Sequence, residues 1–342
     1  MKGRPLAPPL PAPRRTSGAP RMNLRELAMV AVAGEIVPPT QGKTPYRIGR
    51  DGLARMLPGP GGIVLSHRVG DPCVGLAADH LETGASVASR QRALKGEPDA
   101  ANLALNTYAC VGNLARVLTG PCAGKKGVVT GKHGGVNHVL VDFPPEVLQR
   151  LRIGDRIQIY AQGLGLRLPE HPELALFNCS PRLIRRWGLR SRPHKLGVPV
   201  THLLPAGIMG SGLGRDNACL GDYDIQLFDP EVRRRYGLDR LRFGDLVAIR
   251  GADTRYGRAF HSGYTTIGIV VHGDSLKAGH GPGVVTLITG EARFLEPLHD
   301  PRANLAPLLG LRPLPTKGAR LKVAAGRPST PVRLRGQRLV GG

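Results

Sequence analysis

Two short stretches in the second half of the chain carry side chains capable of metal and acid–base chemistry. Gly221-Asp222-Tyr223-Asp224-Ile225 sets two carboxylates two residues apart, on one face if the segment is extended. His272-Gly273-Asp274 closes an apolar run with a second pair at the same spacing, and His280 follows in Gly279-His280-Gly281-Pro282-Gly283. Between them, Asp253, Arg255, Tyr256, Arg258 and His261 follow the apolar segment Leu246–Ile249. Imidazoles with carboxylates form the ligand set of zinc, manganese or iron, or a general acid and base. A divalent ion so held would polarise a carbonyl and acidify water. The spacing matches no dedicated zinc motif such as H-E-x-x-H. Taken singly, each residue is an ordinary turn former or surface ion-pair partner; the cluster suggests a site. Asp222, Asp224, His272 and Asp274 are the candidate metal ligands, and Asp253 and His280 the candidate acid–base groups.

The first half adds Lys132 and His133 to the catalytic candidates. They stand in Gly131-Lys132-His133-Gly134-Gly135, whose glycines let backbone N–H groups approach an anion. A matching loop, Gly210-Ser211-Gly212-Leu213-Gly214, supplies Ser211 and Gly212, which with Arg255 and Tyr256 are the substrate-binding candidates. Asp79-His80-Leu81-Glu82 also carries titratable groups. Neighbours in an extended segment point to opposite faces, so Asp79 and His80 serve one site only if the chain turns there, whereas His80 with Glu82, or Asp79 with Leu81, could share one; Lys132 and His133 are the better candidates.

Positioning these residues requires many short elements. The chain has 342 residues, 47 glycines, 31 prolines and 4% aromatics, a composition that favours short strands and turns over long helices. Pro145-Glu146-Val147, then Leu151-Arg152-Ile153-Gly154-Asp155 and a strand, recurs as Pro230-Glu231-Val232, then Leu241-Arg242-Phe243-Gly244-Asp245 and a strand. Proline suits the first helical turn in each copy. The expected fold is mainly β (α+β), with two similar β-rich halves and short helices. Residues 22–165 form the first half and 195–300 the second, and their glycine loops face one cleft. Ala115–Phe143 reads strand, glycine turn, strand, glycine loop, strand. It resembles the KOW motif of SH3-like barrels, which implies a hairpin barrel in the first half and contact with RNA or protein.

The net charge of +23 points to nucleic acid less than it first suggests. Residues 1–21 hold five basic residues and 312–342 hold eight, with no acid in either. Both are proline-, glycine- and arginine-rich tails, expected to be disordered and to touch nucleic acid weakly and nonspecifically. The five cysteines are scattered, with no C-x-x-C pair, as in a reducing compartment. Leu27–Gly34 is too short to span a bilayer. A cytoplasmic protein without membrane contact is expected.

Thr130–Pro144, Ile208–Gly214, Gly221–Gln226, Arg242–Ile249, Asp253–Arg258 and Ala278–Val284 together closely resemble the domain of unknown function 4438 family, from about Glu26 to Leu295. That resemblance implies no activity. A fainter likeness to the acetamidase/formamidase amide hydrolases lies in Gly221, Asp224 and Ile225 followed by Leu241, Gly244 and Asp245. The leading expectation is a metal-assisted hydrolase of an amide or similar bond in a small-molecule ligand, with its site between the halves and a divalent metal ion as cofactor. The competing expectations are an RNA- or ribosome-associated binding module and a non-catalytic metabolite-binding homo-oligomer. Scarce aromatics count against the RNA module, because single-strand binding relies on stacking.

Overall fold

The computed structural model describes residues 18–40, 46–90 and 99–315. The expected tails lie largely outside these residues. In the first half, six strands close into a barrel in the order Val30–Ile36, Ala85–Ala88, His138–Asp142, Lys126–His133, Leu114–Val117 and Arg156–Ala161. Valine, isoleucine and alanine at the inward positions, among them Val87, Ala115, Val129, Val141, Ile157 and Ile159, fill its core. Arg156–Ala161 alternates exposed and buried residues, the period-two signature of a strand with one wet face. The helix Ala100–Tyr108 packs against the barrel wall.

The second half is an open sheet. Leu246–Asp253, Ala259–Val270 and Gly283–Glu291 form an antiparallel meander. His202–Pro205 adds a parallel edge strand and Tyr223–Asp224 the opposite edge, and Ala175–Leu176 also pairs with Gly283–Glu291. A three-stranded sheet, Arg190–Arg192, Lys195–Val200 and Leu295–His299, lies beside it.

The protein is mainly β with short helices, as its composition requires. The recurring sequence unit also has one local structure in both halves. A short helix begins at Pro145 and at Pro230, and a turn follows in which Asp155 accepts from the Arg152 N–H and Asp245 from the Arg242 N–H. The unit delivers its strand to a closed barrel in one half and to an open sheet in the other. No helix among the described residues is long and apolar enough to cross a membrane.

Among the backbone contacts between the halves, two crossings frame the cleft. Glu82 bridges His272, with Gly273 N–H donating to Leu81 and His80 N–H donating to Asp274. Gly221 and Gly134 meet on the other side, where a Cβ on Gly221 would lie 2.5 Å from the Gly134 Cα. Gly221 has φ 63°, so that position excludes a side chain on steric and conformational grounds alike. Arg312, assigned by sequence to the C-terminal tail, docks instead: its guanidinium is 2.7 Å from Asp142 on the barrel and donates to the Val69 carbonyl.

Candidate metal centre

These crossings bring two histidine–aspartate triplets face to face. His133, Asp222 and His272 form one, and His80, Asp224 and His280 the other; within each triplet, one candidate ligand atom per residue lies within 4.8 Å of the others. His133 comes from the barrel, and His80 from the segment that bridges to the second half. The remaining four come from the second half. The rings are adjacent, with His133–His272 centroids at 4.2 Å and His80–His272 at 5.1 Å. All six line a cavity of about 320 Å³, with Gly134 and Gly135 of one glycine loop and Ser211 and Gly212 of the other.

The ring orientations are set from behind. His133 Nδ1 donates to Glu82 Oε1 at 2.6 Å, His80 Nδ1 to Asp79 Oδ1 at 3.0 Å, and His272 Nδ1 to the Gly273 carbonyl at 2.9 Å. In each case Nε2 is left as the nitrogen available to a ligand. This is the arrangement by which carboxylates and carbonyls fix metal-binding imidazoles. Glu82 also takes His138 Nδ1 at 3.0 Å, the Gly61 N–H at 2.9 Å and the Ser86 hydroxyl. Burial opposes its ionisation, but the hydrogen bonds from His133 and His138 outweigh it and hold Glu82 well below the usual carboxylate range.

The contact between His272 and Asp222 tests whether a cation fits. His272 Nε2 lies 2.6 Å from Asp222 Oδ2, and both are buried. Because Nδ1 carries its proton to Gly273, a neutral His272 turns a bare lone pair on a carboxylate oxygen that has no hydrogen-bond donor. A positive centre must stand there, either a proton or a metal ion. Burial disfavours the imidazolium, but Asp222 and Asp224 overcome it and raise the His272 pKa well above its ordinary value. A divalent cation would have to displace that proton from Nε2, and the two adjacent carboxylates would favour it there. Imidazole nitrogens with carboxylate oxygens fit zinc, manganese or iron, so the donor set suits such an ion. In the second triplet His280 Nδ1 is 3.1 Å from Asp224 Oδ2 and 3.0 Å from His80 Nε2.

Asp222, Asp224, His133, His272, His280, Ser211 and Gly212 therefore converge. Five other candidates do not. Lys132 neighbours His133 on one strand, so it faces the opposite way; its buried amine donates to Asn178 Oδ1 at 2.6 Å and the Cys219 carbonyl at 2.8 Å. Asp253 binds Arg255 and His261 in a separate turn, where Tyr256 is 87% exposed. Asp274 lies beyond the end of the Ala259–Val270 strand, so the expected alternation with His272 does not apply. It caps the Ser275 N–H and stands 3.6 Å from Arg50.

Sequence reasoning missed His80, Glu82, Asp79 and His138 as part of the centre. The signal is Asp79-His80-Leu81-Glu82, in which extended spacing pairs His80 with Glu82 but not with Asp79, and above which the glycine-loop residues Lys132 and His133 are ranked. His80 in fact has φ 57°, and this left-handed residue breaks the alternation. A one-residue bulge between Val129 and Gly131 likewise re-aims the strand that carries His133.

Fold and site together define a two-part, mainly β protein with a buried histidine–aspartate cleft suited to divalent cations. The chain belongs to the family described as domain of unknown function (DUF4438): residues 46–185 match its N-terminal domain and 186–309 its C-terminal domain. A solved structure described as "Crystal structure of TM1086" is 40% identical and superposes with a TM-score of 0.79, covering 85% of this chain and 99% of that one. No curated protein matches the chain.

Proposed function

We propose that the chain is a metal-assisted hydrolase that cleaves an amide or similar bond of a small molecule in the cleft between its halves. The observation that carries this reading is the pair of His–Asp triplets lining one cavity, in each of which one ligand atom per residue lies within 4.8 Å of the others. His133, Asp222 and His272 would hold one divalent ion, and His80, Asp224 and His280 have the composition to hold another. Such an ion, when bound, polarises a carbonyl and acidifies water.

The protein's own groups supply the rest. Glu82, Asp79 and the Gly273 carbonyl keep three imidazoles in one orientation, so little reorganisation is required during reaction. Ser211 has no side-chain hydrogen bond among the described residues and stands at the cavity wall, free to orient a substrate. His280 is 20% exposed and lies against Asp224. With the deeper triplet alone holding an ion, His280 can take a proton from attacking water and return it to a leaving amine.

The test is elemental analysis and metal titration of the full chain, followed by assay against short amides and imides. Stoichiometric zinc, manganese or iron, lost in His272→Ala and Asp222→Asn, together with turnover of one such compound, is the expected result. A full chain that takes up no divalent metal would overturn the reading.

A further inference from the structure

The cavity contains more positive charge than metal binding needs. Asp222 and Asp224 are the acidic residues of its lining, and a single divalent ion neutralises both. Three arginines remain on the same walls: Arg47, Arg215 and Arg258. Arg47 is committed to Asp79 at 3.1 Å. The other two have no carboxylate partner among the described residues.

Arg258 is only 2% exposed. Its guanidinium is held by neutral groups, the carbonyls of Gly212, Leu220 and Gly221 at 3.4, 2.8 and 2.9 Å, and its Nε has no partner. A buried cation held this way retains a charge that an incoming anion can use. It also sits behind the Ser211–Gly212 loop, on which the substrate must rest. Arg215 is exposed, and its side chain makes no hydrogen bond or ion pair among the described residues. Its backbone carbonyl accepts the Arg258 N–H at 2.9 Å, so the two arginines belong to one wall.

We propose that Arg215 and Arg258 form an oxyanion-binding subsite, so that the substrate of the hydrolase carries a carboxylate or phosphate group beside the bond to be cleaved. This specificity rests on the metal-hydrolase reading for its chemistry but not for its binding. Arg215 is the exposed contact that takes the anion, and guanidinium geometry suits both groups. Arg258 is the fixed charge that raises the local potential and steadies the Gly212 and Gly221 carbonyls. A neutral substrate would forgo the charge-assisted contact that Arg215 offers and gain nothing from the Arg258 charge.

The experiment is calorimetric titration of the full chain, as purified and after loading with zinc, with inorganic phosphate, succinate and neutral succinamide. At least one anion should bind, and succinamide at least about tenfold more weakly; the tighter anion identifies the group. Arg215→Gln should weaken that anion by about tenfold while metal content and thermal midpoint match wild type. Arg215 is exposed, so this variant leaves the fold in place; Arg258→Lys, which keeps the charge and loses the fork, should weaken the anion as well. Failure of both anions to bind, equal affinity for succinamide, or unchanged anion affinity in Arg215→Gln would each overturn the subsite. If the chain takes no metal yet Arg215→Gln still loses the anion, the hydrolase reading fails and the subsite stands. If metal binds and anion affinity ignores Arg215, the reverse holds.

Discussion

Glu82 Oε1 stands 2.6 Å from His133 Nδ1, joining residues 51 positions apart in the chain. A charged, buried acceptor behind an imidazole raises the basicity of the opposite nitrogen and locks the ring. Glu82→Gln keeps the shape and removes the charge. Metal affinity in a chelator-dye competition should fall by about 10- to 100-fold, with the far-ultraviolet circular dichroism unchanged. An unaltered affinity would mean that Glu82 only fastens the bridging segment to the barrel.

Gly283 is the most sensitive glycine of the centre. A Cβ there would lie 1.9 Å from Asp222 Oδ2 and 2.1 Å from His272 Nε2, far inside any non-bonded contact. Gly283→Ala should therefore push those two ligands apart and abolish stoichiometric metal, while the rest of the sheet still forms. Metal analysis of the purified variant decides this, and wild-type metal content would refute the arrangement.

Asp253, Arg255 and Tyr256 lie outside the cleft. Asp253→Asn and Tyr256→Ala should leave metal content and turnover within about twofold of wild type, since Asp253 is buried against Arg255 and His261 rather than against the cleft and Tyr256 is exposed. A large loss of activity in either would show that the separate turn reaches the substrate.

The C-terminal segment is held to the core by Arg312, with Leu314 packed against it. A chain ending at residue 315 should melt with the full-length protein. One ending at residue 311 should be less stable by about 2 kcal/mol, below the ~3–5 kcal/mol of a fully broken buried pair because Arg68 remains 3.7 Å from Asp142. Thermal denaturation of both truncations tests this; equal midpoints would show that the Arg312–Asp142 contact is dispensable.

His202 makes stability depend on pH. Burial, with Arg240 and Arg242 nearby, pushes its pKa down from 6.5 to about 4 despite the Gly237 carbonyl. Between those values the unfolded chain binds more protons than the folded one, so stability falls as pH drops from 6.5 towards 4. His202→Gln should flatten that part of the stability–pH curve measured by urea denaturation. A slope identical to wild type would assign the acid sensitivity to other groups.

The sequence by itself determined the class of fold, because strand formation depends on local pattern. Frequent glycine and proline, scarce aromatics and short apolar runs leave no other economical architecture. It also determined the helix–turn–strand units at Pro145 and Pro230, whose proline and aspartate contacts are local. The second-half ligands Asp222, Asp224, His272 and His280 were legible as an unusual density of imidazole and carboxylate at turns.

Only the tertiary structure decided which of those residues share a site. The direction of a side chain depends on one backbone angle at His80, one bulge before Gly131 and the end of a strand at Val270. Each reverses an alternation that sequence spacing takes for granted. Glu82 and His138 became part of the centre because the barrel closes and brings the segment before Ala85–Ala88 and the strand His138–Asp142 behind His133, a long-range event without local signature. Lys132 was lost to it because adjacent residues on a strand face opposite ways: its amine is held by Asn178 and the Cys219 carbonyl, away from the histidine–aspartate triplets.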